Sequence, residues 1–169
     1  MRPIFQMLAN YNGWANARLY AAAAKLPDAE YRADHGAFFK SVHGTLNHLL
    51  VGDRVWMQRL TGEGDAPTRL DAILFEELAP LRAARAAEDA RIVAFVSGLS
   101  DDDLKRKVRY TTISRPAAIE QELGYALPHV FNHQTHHRGQ VHGLLTKITG
   151  EAPSLDLILY QRETGIGLS

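Results

Sequence analysis

Residues 133–140 read His-Gln-Thr-His-His-Arg-Gly-Gln, and within them His133 and His137 stand four apart in a stretch of helical periodicity. On an α-helix such positions lie one turn apart on one face, so two imidazoles there can share a small cation without bending the backbone. The spacing is that of a metal-ligand pair. No Glu follows His133, so this is not the His-Glu-x-x-His motif in which that Glu serves as general base. A third ligand has to come from elsewhere. Cysteine is absent, which excludes a disulfide framework, a thiolate-held zinc site and a cysteine nucleophile, and leaves histidine and carboxylate as ligands.

Five histidines crowd this segment, and helical geometry sorts them. At about 100° per residue with His133 at zero, Val130, Val141, Leu144, Leu145 and Ile148 centre near roughly +70°. His137 then falls at about +40°, and His129 and His136 at about −40° and −60°. His133 and His137 are nearest the apolar face, and His142 points away from it. Gln134 also falls near the centre of that face, and the sequence offers no account of a polar residue there.

The remaining chain must supply the scaffold and the third ligand. Apolar residues at three- and four-residue steps predict a helix over about Ile4 to Leu26, ended by Pro27, and another over about Ser41 to Leu60, stopped by Thr61-Gly-Glu-Gly. Leu70 to Leu99 is rich in Ala, Glu, Asp and Arg and contains Pro80. A proline inside a helical pattern kinks or restarts it, so a short helix is expected before Pro80 and a long one from Pro80 to Ser97. The alternating, β-branched run Lys107-Val-Arg-Tyr-Thr-Thr-Ile fits a short strand or hairpin arm outside the helices. From Ser114 a fourth region opens, whose long helix carries the histidines to Gly150, and an amphipathic piece from Ser154 ends at Gly165. The expected fold is all-α: a four-helix bundle with long crossover connections and a small accessory β-hairpin or strand, a single domain over residues 1–169.

Composition narrows the function. Lys plus Arg number 19 and Asp plus Glu number 19, so no global positive field draws in nucleic acid. No window approaches the ~18 apolar residues of a membrane span, and the N-terminus has no uninterrupted apolar signal region. A soluble, cytoplasmic protein that binds neither nucleic acid nor membrane is expected, as a homodimer.

The string His-x-x-x-His-Arg-Gly-Gln over residues 133–140 resembles the DinB-like family of metal-binding four-helix bundles. Asn47-His48-Leu-Leu-Val-Gly-Asp-Arg-Val-Trp56 is similar to that family's upstream ligand segment, and Asp156-Leu-Ile-Leu-Tyr160 to its closing helix. The resemblance implies a metal site of His48, His133 and His137. Periodicity leaves the upstream ligand open between His43 and His48, because the second helix is apolar almost all round. The resemblance favours His48, and Thr45 and Gly52, small residues near it at helical spacing, would leave room for a metal. His136 departs from the pattern as a competing partner for His133. Asn132 and Gln140 are candidates to orient imidazoles, Trp56 reads as core packing, and Arg138 reads first as half of a bundle-edge ion pair and second as a holder of anionic substrate.

Three neutral imidazoles leave a fourth position on a divalent transition metal, zinc or nickel ahead of iron. Such an ion can lower the pKa of a water toward about 7, or bind a low-molecular-weight thiol as thiolate. The resemblance implies the second: a metal-dependent transferase acting on a small-molecule substrate with a thiol cosubstrate. The alternatives are a metal-dependent hydrolase and a non-catalytic, metal-binding stress-response protein.

Overall fold

A computed structural model of the chain describes residues 1–168. Helix α1 spans Arg2–Ala23 and starts with Pro3 in its first turn, where the missing N–H has no intrahelical partner to lose. A short helix α2, Asp28–Arg32, follows and anchors itself through the buried ring of Tyr31. Helix α3, Val42–Thr61, begins where Ser41 Oγ accepts the Gly44 N–H at 3.0 Å and ends at Gly62 in the left-handed conformation. Helix α4 spans Leu78–Gly98. Strands β1, Lys107–Thr111, and β2, Ala118–Glu122, pair antiparallel with Lys107 opposite Glu122 and Tyr110 opposite Ile119. Helix α5, Leu123–Thr149, and helix α6, Leu157–Thr164, complete the chain.

Two expectations are corrected here. No helix precedes Pro80, because residues 62–77 are irregular and Pro80 sits in the first turn of α4, where proline costs no internal hydrogen bond. The region after Ser114 does not lead directly into the long helix. Ala118–Glu122 first closes a hairpin with β1, its helix-forming Ala and Glu overridden by the ladder and by cross-strand ion pairs such as Lys107 to Glu122 at 3.1 Å.

The four long helices form a bundle in which α1 packs on α4 and α5, and α3 packs on the same two. Consecutive long helices α1 and α3 therefore lie diagonally, as do α4 and α5, so both intervening connections cross an end of the bundle. The second crossover carries the hairpin. Among the described residues, no helix is long and apolar enough to cross a membrane.

The core is divided along the bundle axis. One apolar cluster near the hairpin contains Phe5, Met57, Leu60, Ile92, Val96, Leu123 and Leu127. The other, toward the far end, contains Leu19, Leu46, Leu49, Leu50, Leu81, Val141 and Leu145. Between them lies a buried polar layer of Asn12 and Asn16 from α1, Asp53 from α3, Arg85 and Asp89 from α4, and Gln134 and Arg138 from α5. Arg85 pairs with Asp53 at 2.8 Å and with Asp89 at 3.1 Å. Asn12 and Asn16 each donate an amide N–H to Asp89 and accept from Arg138 through the amide oxygen. Two cations and two carboxylates thus balance inside the bundle, as burial of charge requires.

Candidate metal centre

The motif on α5 is two i, i+4 pairs offset by one residue. Gln134 and Arg138 turn into the bundle core, while His133 and His137, about 100° around the helix, turn toward α3. There they meet His48. One ring nitrogen from each of His48, His133 and His137 lies within 4.8 Å of the other two, close enough for the three to hold a metal ion. His48 Nε2 is 3.2 Å from His133 Nε2 and 3.1 Å from His137 Nε2.

The second nitrogens explain why these atoms face inward. His48 Nδ1 lies 2.7 Å from the carbonyl oxygen of Leu70, which can only accept, so the proton is on Nδ1 and Nε2 presents a lone pair. His137 Nδ1 lies 2.7 Å from the Gln140 side-chain oxygen and is fixed in the same tautomer. His133 differs, since its Nδ1 is buried without a partner. Its ring is placed by sterics instead. A Cβ on Gly52 would stand 2.7 Å from His133 Cε1, so only glycine at this point of α3 lets the ring lie against the helix backbone. The small residue does leave room, but the room is taken by the His133 ring.

Burial keeps the trio neutral. Desolvation lowers His48 to about 4 against the weaker raising effect of the Leu70 carbonyl, and lowers His133 to about 3 with help from the neighbouring imidazoles. His137 is also lowered by burial, with the Gln140 hydrogen bond pulling the other way. Phe39 closes one side of the site, its ring stacked on His48 at 3.8 Å between centroids and edge-on to His137 at 5.5 Å. On the other side, past His133, a cleft of about 470 Å³ runs between α3, α5 and the hairpin.

The other candidates are placed elsewhere. His43 is buried, hydrogen-bonded to the Phe75 carbonyl at 3.1 Å and packed against Tyr31, which takes it out of the cluster. His136 is exposed beside His137, and His142 is half-buried. Asn132 is exposed, whereas Asn47, the neighbour of His48, accepts the Leu74 and Phe75 N–H groups at 2.8 and 3.0 Å. The irregular 62–77 segment is therefore pinned onto α3 by Asn47, His43 and His48. Trp56 is buried as expected and also forms a wall of the cleft. Arg138 has neither of the roles read from the sequence. It is buried in the core among the amide oxygens of Asn12, Asn16 and Gln134, with its guanidinium 5.2 Å from the Tyr11 ring. Gln134 donates to the Leu49 carbonyl at 3.1 Å, which accounts for a polar residue on that face.

Fold and site together define a four-helix bundle of diagonal connectivity with three imidazoles converging in the groove between two helices. The sequence profile of the DinB family matches residues 1–167, and the chain belongs to that family. Protein DinB of Bacillus subtilis (strain 168) is 26% identical over 165 residues, covering 90% of this chain and 91% of its own length. Among solved structures, YfiT from Bacillus subtilis, described as a probable metal-dependent hydrolase with an unusual four-helix bundle topology, aligns with a TM-score of 0.65 at 18% identity over 86% of this chain and 87% of its own. At that identity the likeness is one of fold.

Proposed function

We propose that His48, His133 and His137 hold one divalent transition-metal ion, zinc or nickel ahead of iron, and that the protein is a metal-dependent transferase acting on a small molecule with a low-molecular-weight thiol. One observation carries the metal assignment. His48 and His137 both have Nδ1 committed to an oxygen, yet their Nε2 lone pairs face each other at 3.1 Å. Two such acceptors repel unless a cation stands between them, and all-nitrogen donors of this kind suit a borderline divalent ion. When bound there, the ion supplies Lewis acidity that favours the deprotonated form of a thiol or a water reaching it.

The chain's own groups do the rest. Leu70 and Gln140 hold two imidazoles in one tautomer, Phe39 shuts water out on one side, and the Gly52 side leaves an approach along the cleft. His129 lines that approach with its ring centroid 5.8 Å from that of His133. Burial and the neighbouring Arg59 lower its pKa, so it stands as a neutral base able to take the proton a thiol releases. Equal numbers of acidic and basic residues argue against nucleic acid as a partner, and we expect a second copy of the chain as its partner in the cytoplasm.

A hydrolase reading rests on the same open approach, and on YfiT's description as a probable metal-dependent hydrolase. Two measurements test these proposals. Metal analysis of purified variants should show loss on His48→Ala, His133→Ala and His137→Ala but retention on His43→Ala and His136→Ala; the reverse pattern rejects the ligand set. The cobalt(II) form, titrated with glutathione, cysteine and other small thiols at neutral pH, should develop a saturable near-ultraviolet charge-transfer band that His137→Ala lacks. No band with any thiol, together with cleavage of esters or amides, replaces the transferase with the hydrolase.

A further inference from the structure

The cleft beyond His133 has a composition of its own. Its walls are mainly apolar and aromatic, with Val55, Leu70 and Ile113 beside the rings of Trp56, Tyr110 and Tyr125; Thr112, Ser114 and Gln121 add neutral polar groups, and no acidic side chain lines it. Tyr125 stands 75% exposed at this wall. The single fixed charge in the lining is Arg59. Its guanidinium lies 4.9 Å from the Trp56 ring and 4.6 Å from the Tyr110 ring, and one of its nitrogens donates to the Thr111 carbonyl at 2.9 Å.

Arg59 is held, half-buried and uncompensated. It pairs with no carboxylate among the described residues, unlike Arg85 in the core or Arg109 on the hairpin. Burial lowers its pKa, with Tyr110 pulling the other way. A guanidinium held against two touching aromatic rings, with donors left over and no acid in reach, is the arrangement that recognises an anion. Arg59 lies about two turns along α3 from Gly52, where the His133 ring rests, so the two positions are separated by about 10 Å of helix rise.

We propose that this cleft binds the acceptor substrate, and that the substrate is a monocarboxylate on an apolar or aromatic frame, its carboxylate on Arg59 and its reacting atom toward the three imidazoles at the other end of the cleft. A single positive charge matches a single negative one, and a phosphate group would leave charge uncompensated in an apolar cleft. The rings of Trp56, Tyr110 and Tyr125 take the frame. The assignment of a reacting atom rests on the three-imidazole reading; the recognition of a carboxylate does not.

The test uses the full chain with Trp14→Phe, which leaves Trp56 in the cleft wall as the sole tryptophan. Its fluorescence is titrated with 3-phenylpropanoate, 4-phenylbutanoate and 5-phenylpentanoate and with the corresponding neutral amides, in the presence of metal and after chelation. At least one carboxylate should bind saturably and roughly tenfold or more tighter than its amide, the scale of one hydrogen bond to a charged group. Arg59→Gln should abolish that preference while leaving amide affinity and metal content unchanged, and Arg59→Lys should keep part of it. Amides binding as tightly as acids, Arg59→Gln retaining the preference, or no saturable binding by any member overturns the proposal. Carboxylate selectivity that survives chelation and persists in His137→Ala separates this inference from the fate of the metal site.

Discussion

The fit of His133 against Gly52 makes a small substitution informative. Adding a methyl group at Gly52 places a carbon 2.7 Å from His133 Cε1 and 3.2 Å from its Nδ1, against the 3.4 Å or more of ordinary van der Waals contact. The ring must retreat by roughly 0.7 Å, because the repulsive wall between carbons rises steeply at that range. The atom in the way is the far edge of a side chain, so the ring can swing and the backbone of α3 can stay. Alanine also gains about 1 kcal/mol over glycine in a helix interior, which offsets part of the local strain. Metal–nitrogen bonds of about 2.0–2.1 Å tolerate displacements of only about 0.2 Å. Gly52→Ala should therefore fold normally and bind metal at least roughly tenfold more weakly, the scale seen when a ligand's support is removed. Competition with a chromophoric chelator measures the affinity, and urea unfolding of the metal-free protein measures the fold. Wild-type affinity in the variant would refute the reasoning. So would a collapse of the metal-free fold, since it would mean that backbone rather than ring absorbs the clash.

Two further outcomes follow from the buried charges. Metal-free protein should lose stability as pH falls from about 6.5 toward 4. The unfolded chain protonates its imidazoles near ~6.5, whereas folding holds His48 at about 4 and His133 at about 3, so the unfolded state binds more protons in that window and stability rises with pH. Asp53 acts with the opposite sign, burial raising it from 3.8 to about 6, but one carboxyl stands against two imidazoles. Urea unfolding of chelated protein at pH 7, 5.5 and 4.5 should show the decline, with a shallower slope in His133→Gln; stability that climbs toward pH 4.5 contradicts it. In the polar layer, Arg85→Met leaves Asp53 and Asp89 without their cation and should cost about 3–5 kcal/mol, and replacing all three by apolar residues should recover only part of that loss, because Asn12 and Asn16 then lose Asp89 as their acceptor. A single-variant cost below about 1 kcal/mol would show that the layer is not electrostatically coupled.

The parts of this molecule legible in the sequence are those where a local rule and a long-range one agree. The i, i+4 spacing gives His133 and His137 a common face whatever the tertiary structure, and the C-terminal ends of α3 and α5 follow from Gly62 and Gly150 as stops, whereas α1 ends at Ala23, short of the expected Leu26 and Pro27. His48 needed the family resemblance, because α3 is buried on nearly every side and periodicity cannot select a face. The expected accessory hairpin is present, but the sequence does not locate its second strand, because Ala-Ile-Glu-Gln-Glu has helical preferences and pairing with β1 decides its state. The orienting group of His48 is a backbone carbonyl, which every residue possesses and no residue type announces. Phe39 likewise gains its place on the His48 ring only from the turn that precedes α3, where Lys40 adopts a positive φ of 67°.

Arg138 shows how structure and site are coupled. Read alone, an arginine beside two ligand histidines suggests substrate or a surface ion pair, but its side chain is in the core layer and its neighbour His137 is in the groove. The two facts depend on each other. With Gln134 and Arg138 tied to Leu49, Asn12 and Asn16, α5 cannot rotate about its axis without parting these side chains from their partners and leaving buried polar groups unpaired. A slip of one turn, about 5.4 Å, would carry Arg138 out of the polar layer and into an apolar cluster. The layer therefore sets both the rotation and the axial register of α5 against α1 and α3, and the rotation is what turns His133 and His137 toward His48. Converging three imidazoles to within 4.8 Å leaves little tolerance for error in either coordinate. Placing buried charges at the same level of the bundle as the imidazoles makes the wrong registers costly where accuracy is needed, and leaves the two apolar clusters to supply the stability.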